Sequence, residues 1–155
     1  MTLISYNDLA RMRLRDFLRE SSDIYIEESG MRICVGLGGY EQLGENYFGW
    51  RQGEPFQTAE VSIDLHSSSE MPIESARKII GKLGLPLDKG TTASRLIEAF
   101  GTPQIHKPGR VGTHFLRFIC GKEEQYLLGC FVDDREGLNS FFLARKDYYD
   151  QAEAI

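Results

Sequence analysis

The stretch Thr113 to Arg145 reads THFLRFIC-GKEE-QYLLGCFV-DDREG-LNSFFLAR. Three runs of strand length, rich in Phe, Leu, Ile, Val and Tyr, alternate with two short polar segments. Gly121-Lys122-Glu123-Glu124 and Asp133-Asp134-Arg135-Glu136-Gly137 are long enough to close a hairpin and too short for a crossover. Strands over 113–120, 125–132 and 138–144 are therefore expected to form an antiparallel meander.

Upstream of the meander the apolar period changes. Ile73, Ala76, Ile79, Ile80 and Leu83 form one helical stripe, with Pro72 suited to the first turn and Gly84 and Pro86 to the stop. Thr91 or Thr92 can cap a second helix whose apolar face is Leu96, Ile97 and Phe100, ending at Gly101 and Pro103. Residues 104–113 read as a basic link. Further back, Glu60 to His66 alternates, with Val61, Ile63 and Leu65 on one side and Glu60, Ser62, Asp64 and His66 on the other. Arg32 to Leu37 reads as a strand between Gly30 and Gly38-Gly39, and Ile24 to Ile26 could add a short one. Tyr40 to Pro55 shows no period and is expected to be a long loop, or a loop with a short strand. Near the start, a helix capped by Asn7 or Asp8 runs to about Glu20. Leu9, Leu14, Phe17 and Leu18 make its apolar stripe, and Arg11, Arg15 and Arg19 a solvated row balanced by Asp8, Asp16 and Glu20. The tail from about residue 150 is expected to fray. Strand runs set apart from helix runs imply an α+β fold: an antiparallel sheet of about five strands with helices packed on one face, in a single domain over 1–155.

The 155 residues, 41% hydrophobic and 26% charged, suffice for a core without disulfide or metal staples. The apolar runs are too short to cross a bilayer. Met1 to Tyr6 lacks a basic region followed by an apolar stretch, so no secretory leader is expected. Cys34, Cys120 and Cys130 are widely spaced in apolar surroundings, which reads as buried reduced thiols and a cytoplasmic location. The net charge of −5 argues against direct nucleic-acid binding. Charge is also uneven: residues 21–70 hold nine carboxylates against Arg32 and Arg51, whereas residues 71–120 hold eight cations against three carboxylates.

The segment from Thr91 to Arg145, with Gly101-Thr102-Pro103 after its helix and Gly137-Leu138 to Arg145 closing its last strand, resembles the repeating unit of β-lactamase-inhibitor-like and outer-membrane-assembly lipoprotein domains. It covers about one third of the chain. The resemblance implies a helix followed by a three-strand meander, and a role in binding other proteins. The lipoprotein signal and paired cysteines of that class are not expected here. In size and acidity the chain also resembles bacterial toxin-immunity proteins.

Catalytic and cofactor chemistry finds little footing, and no cofactor is expected. Gly36-Leu37-Gly38-Gly39 lacks the third glycine and following helix of a nucleotide loop. His66, His106 and His114 lack metal-ligand spacing, although Asp64 and His66 could meet His114 across strands. Cys120 and Cys130 fall inside apolar strands, where the neutral thiol is favoured. Asp133, Asp134 and Glu136 read as a hairpin tip.

What stands out is an acidic stretch interleaved with aromatics. Tyr40, Glu41, Glu45, Tyr47, Trp50 and Glu54, joined by the outward residues Glu60, Asp64 and His66, are the candidate partner-binding residues. Tyr and Trp bury large area at low entropy cost, and carboxylates around them steer a basic partner. The leading expectation is thus a protein-binding inhibitor, in concrete form a cytoplasmic immunity protein that neutralises a basic toxin such as a nuclease. It would be a monomer or weak homodimer. A small-molecule or enzymatic domain with a pocket between the sheet and loop 38–56, and a structural adaptor, are the alternatives.

Overall fold

A computed structural model describes residues 2–18, 32–34, 39–50 and 57–153. The strands are β1 (Arg32–Cys34), β2 (Tyr40–Leu43), β3 (Asn46–Trp50), β4 (Thr58–Asp64), β5 (Ile105–Pro108), β6 (Thr113–Cys120), β7 (Tyr126–Asp133) and β8 (Gly137–Arg145). The helices are α1 (Tyr6–Arg11), α2 (Leu14–Leu18), α3 (Ile73–Leu83), α4 (Ala93–Phe100) and α5 (Lys146–Glu153). All described strands belong to one sheet in the order β1-β2-β3-β4-β8-β7-β6-β5, and every neighbouring pair is antiparallel.

The α+β class and the C-terminal meander agree with the sequence reading. The strand count does not: the sheet has eight described strands, not about five. β2 and β3 come from the segment expected to be a loop, and β5 from the segment expected to be a basic link. The expected strand over 24–26 lies outside the described residues. Two meanders, β1–β4 and β5–β8, meet along β4 and β8, where Val61 pairs with Leu143 and Ile63 with Phe141.

β2 and β3 form a hairpin with Gly44 at φ +59° in its two-residue turn, the backbone region that glycine enters without strain. Its alternation is hidden in the sequence because polar residues occupy inward positions. Glu41 and Asn46 are buried beside Leu43 and Phe48, while Tyr40 and Tyr47 lie on the outward phase. Asn46 is fully satisfied there. Its amide donates to the Leu43 carbonyl at 3.1 Å and to Ser69 Oγ at 3.2 Å, and its Oδ1 accepts from the Asp64 N–H at 2.8 Å, as a buried amide requires.

Helices α1 to α4 cover one face. Leu9, Leu14, Leu18, Ile79, Leu83 and Leu96 join Phe48, Val61, Ile63, Phe118, Leu128 and Phe141 in one buried cluster. Each such side chain contributes about 1.5–3 kcal/mol by leaving water. Gly84 ends α3 at φ +74°, and a Cβ there would strike the backbone of Thr2. The glycine is what lets the N-terminal segment run against α3, where the Ile4 N–H donates to the Leu83 carbonyl at 3.0 Å.

The expected first helix is two short ones. Ser5, not Asn7 or Asp8, caps α1 by accepting from the Asp8 N–H at 3.1 Å. Helix α1 stops because the Met12 carbonyl is taken by the Thr58 hydroxyl at 2.6 Å and by Arg13 Nη1 at 2.8 Å. The expectation that all helices share one face is also corrected, since α5 lies on the other. Helix α5 runs from Lys146 to Glu153. No helix among the described residues is long and apolar enough to cross a membrane.

Candidate functional site

With α1 to α4 on the inward phase of the strands, the alternate phase forms a second face. The registers align its residues in rows across the sheet. One row runs Tyr47, Ser62, Phe142, Gly129, Arg117, Ile105, and the next Tyr40, Gly49, Glu60, Ala144, Leu127, Ile119. A third holds Asp64, Ser140, Phe131, Phe115 and Lys107. Directly after β8 the chain turns into α5, which packs back on β7 and β8. Leu127 and Ala144, 3% and 0% exposed, are sealed in the second row. Consecutive tyrosines of α5 then serve opposite sides: Tyr148 lines a pocket over β2–β4, and Tyr149 a groove over β5–β8.

The first recess is a pocket of roughly 290 Å³ lined by Tyr40, Gln42, Tyr47, Gly49, Glu60 and Tyr148, among others. Tyr47 Oη donates to Glu60 Oε1 at 2.9 Å. Burial pushes the Glu60 carboxyl above its ordinary range, and the Tyr47 hydrogen bond only partly opposes this. Tyr47 and Tyr148 are themselves raised, first by burial and then by the neighbouring Glu60 charge. Among the described residues no Lys, Arg or His lines this pocket.

The second recess is a groove of roughly 640 Å³ with the opposite character. Its floor is aromatic. Phe115 lies 5.0 Å from Phe131 and 6.4 Å from Phe142 between ring centroids, and Phe142 stacks on Tyr149 at 6.5 Å and 5°. Gly129 makes this possible, since a Cβ there would run into the Phe142 ring. Phe131 is 46% exposed and Ile119, on the same phase, 39%. Lys107, Arg110 and Arg117 line the groove, and among the described residues no Asp or Glu does. Lys107 Nζ stands 5.9 Å from the centre of the Phe115 ring, and the Arg117 guanidinium 5.7 Å from that of Tyr149. Arg117 is steadied by donating from Nε to Gln104 Oε1 at 2.9 Å.

The residues singled out in the sequence separate accordingly. Tyr40, Tyr47 and Glu60 share the first pocket. Glu41 does not face outward, contrary to expectation. It is 1% exposed on the helix side, accepting from the Leu14 N–H at 2.9 Å and from Arg15 Nε at 3.1 Å. It thus holds the start of α2 and pairs one member of the basic row expected to be solvated. Trp50 is also corrected: it is 1% exposed, with the Arg13 guanidinium 6.0 Å above its ring. Glu45 is exposed in the hairpin turn, and Glu54 lies outside the described residues. Asp64 and His66 belong to a local turn, where Asp64 Oδ1 accepts from the His66 N–H at 2.9 Å and His66 Nδ1 from the Ser68 N–H at 3.1 Å. The expected pocket between sheet and loop 38–56 takes another form, because residues 40–43 and 46–50 are themselves strands.

His114 does not meet Asp64 and His66. Its Nε2 is 2.7 Å from Asp134 Oδ1. Cys120 and Cys130 are free and buried, and burial pushes the Cys120 thiol up to about 11. The sequence reading missed Lys107, Phe115, Arg117, Phe131, Phe142, Tyr148 and Tyr149. One signal was available: Phe115, Arg117 and Ile119 occupy the phase opposite Leu116, Phe118 and Cys120. No protein-family model, curated protein or solved structure matches the chain.

Proposed function

We propose that this chain is a binding protein that holds another protein against the face crossed by α5. The observation that carries the reading is the aromatic groove with exposed Phe131 beside Lys107, Arg110 and Arg117, with no carboxylate among the described residues of its lining. Aromatic and Arg side chains in a concave patch are the usual energetic centre of an interface. An exposed apolar patch rimmed by charge is a common mark of one. The partner that fits has acidic groups opposite the Lys107 end. The finer reading, a cytoplasmic immunity protein that blocks a basic toxin such as a nuclease, draws its support from Tyr40, Tyr47 and Glu60 at the other end. The free buried thiols of Cys120 and Cys130 are in keeping with that compartment.

Affinity capture with three baits tests the reading: wild type, the double variant Phe131→Asp/Arg117→Glu, and the control Arg95→Glu on exposed α4. A protein held by wild type and the control, and lost on the double variant, supports it. Equal capture by all three baits overturns it, as does a wild-type homodimer that the double variant converts to monomer.

A further inference from the structure

We infer that the pocket between Tyr40, Tyr47, Tyr148, Gly49 and Glu60 is a binding site for an alkylated ammonium group, such as a methylated lysine side chain or a small quaternary amine. Three phenol rings from three separate elements, β2, β3 and α5, line one recess with a single carboxylate. Ring faces attract cations, and more strongly where water is excluded. All three tyrosines and Glu60 are partly buried, and no cation among the described residues lines the pocket.

The carboxylate is positioned for one contact. Glu60 Oε1 is occupied by the Tyr47 hydroxyl at 2.9 Å. Oε2 lies beside Gly49, 3.7 Å from where a Cβ would stand. A side chain at position 49 would touch that oxygen, and glycine leaves this contact unmade. One oxygen without a hydrogen-bond partner among the described residues suits a point charge better than a guanidinium, whose preferred carboxylate partner offers two. At roughly 290 Å³ the recess lies at the lower end of ligand-site volumes, which fits one cationic head group and not a larger molecule. The inference shares Tyr40, Tyr47 and Glu60 with the immunity reading, but it goes beyond the proposed function in requiring no protein partner, and it rests on none of the residues of the Lys107 groove.

Titration of the full chain by ¹H–¹⁵N NMR tests it, with tetramethylammonium chloride against sodium chloride at equal ionic strength. Saturable shifts centred on Gly49, Glu60 and Tyr148 are expected. Glu60→Gln and Tyr148→Ala should each weaken binding by about tenfold or more while the remaining spectrum stays folded. Glu60→Gln removes a half-buried charge that has no described counter-ion, so folding should survive it. Two further arms separate the sources of the group. Tighter binding of a peptide containing trimethyllysine assigns the site to a side chain, tighter binding of the free amine to a small molecule, and both support it. Shifts equal to those in sodium chloride, unchanged affinity in Glu60→Gln, or tighter binding of arginine would each overturn it. Loss of this binding leaves capture through Phe131 and Arg117 unaffected, so the two readings fail separately.

Discussion

The two ends of the face crossed by α5 are built alike and charged oppositely. Each has an aromatic lining, a glycine over which a neighbouring side chain lies, and one tyrosine of α5 as a wall. Over β2–β4 these are Tyr40 and Tyr47, Gly49 and Tyr148, around Glu60. Over β5–β8 they are Phe115 and Phe142, Gly129 and Tyr149, around Lys107 and Arg117. The difference arises in the registers: the row holding Glu60 continues into sealed Ala144 and Leu127, while the rows of Arg117 and Lys107 stay open. A short helix laid across a sheet has separated opposite charges that would otherwise share one surface. Coulomb attraction between them would be partly screened over a Debye length of about 8 Å.

Removing the ring between the two ends gives the largest expected effect. Phe142 pairs across the sheet with Ser62 of the acidic end and Gly129 of the basic end, and it packs against Phe115 and Tyr149. Phe142→Ala should cost about 3 kcal/mol, near the low end for an aromatic truncation because the ring is only half-buried. Urea denaturation would measure it. A loss below about 1 kcal/mol would mean that the two ends do not share this ring as a common support.

Glu41 and Glu60 sharpen the same comparison across the sheet. Glu41, on the helix side, accepts from the Leu14 N–H and from Arg15. Glu41→Ala should cost about 2 kcal/mol, because a nearly inaccessible N–H loses its acceptor. Glu60→Gln should leave stability unchanged or raise it by less than about 1 kcal/mol, since a desolvated charge without a counter-ion among the described residues is removed. Equal losses for both would show that Glu60 is also held by a structural partner.

The contrast also explains what the sequence could and could not disclose. The meander over 113–145 was legible because each strand alternates or runs apolar between hairpin-length polar turns. Helices α3 and α4 were legible from their stripes and glycine stops. The β2–β3 hairpin was not, because Glu41 and Asn46 point inward and Tyr40 and Tyr47 outward, which inverts the usual pattern. The α1–α2 break was invisible too, since it depends on Thr58 and Glu41 arriving from distant strands. Of the acidic site, Tyr40, Tyr47 and Glu60 were identified from composition. Tyr148 and Tyr149 were not, because the tail carried no apolar stripe to announce a packed helix. The basic groove was missed because Lys107 and Arg117 read as link and strand residues, and only strand register brings them together.

The smallest expected effect is a pH dependence confined to the acidic end. Burial holds the Glu60 carboxyl above its ordinary value, so the native state keeps that proton to higher pH than the unfolded chain does. Between the ordinary and the raised value the native state therefore binds more protons, and stability falls as pH rises through that window. Below the window both states are protonated and Glu60 has no effect. Subtracting the Glu60→Gln stability–pH curve from that of wild type isolates the contribution: the difference should be flat in acid and should decline as pH passes upward from about 4.3, the unperturbed Glu value. Tyr47 and Tyr148 face the same carboxyl but titrate far above this window. A bound tetramethylammonium ion would favour the carboxylate, lower its pKa and shrink the decline. A difference curve that rises with pH would mean that a cation already neutralises Glu60 in the native protein, and the acidic end would then be closed to an external one.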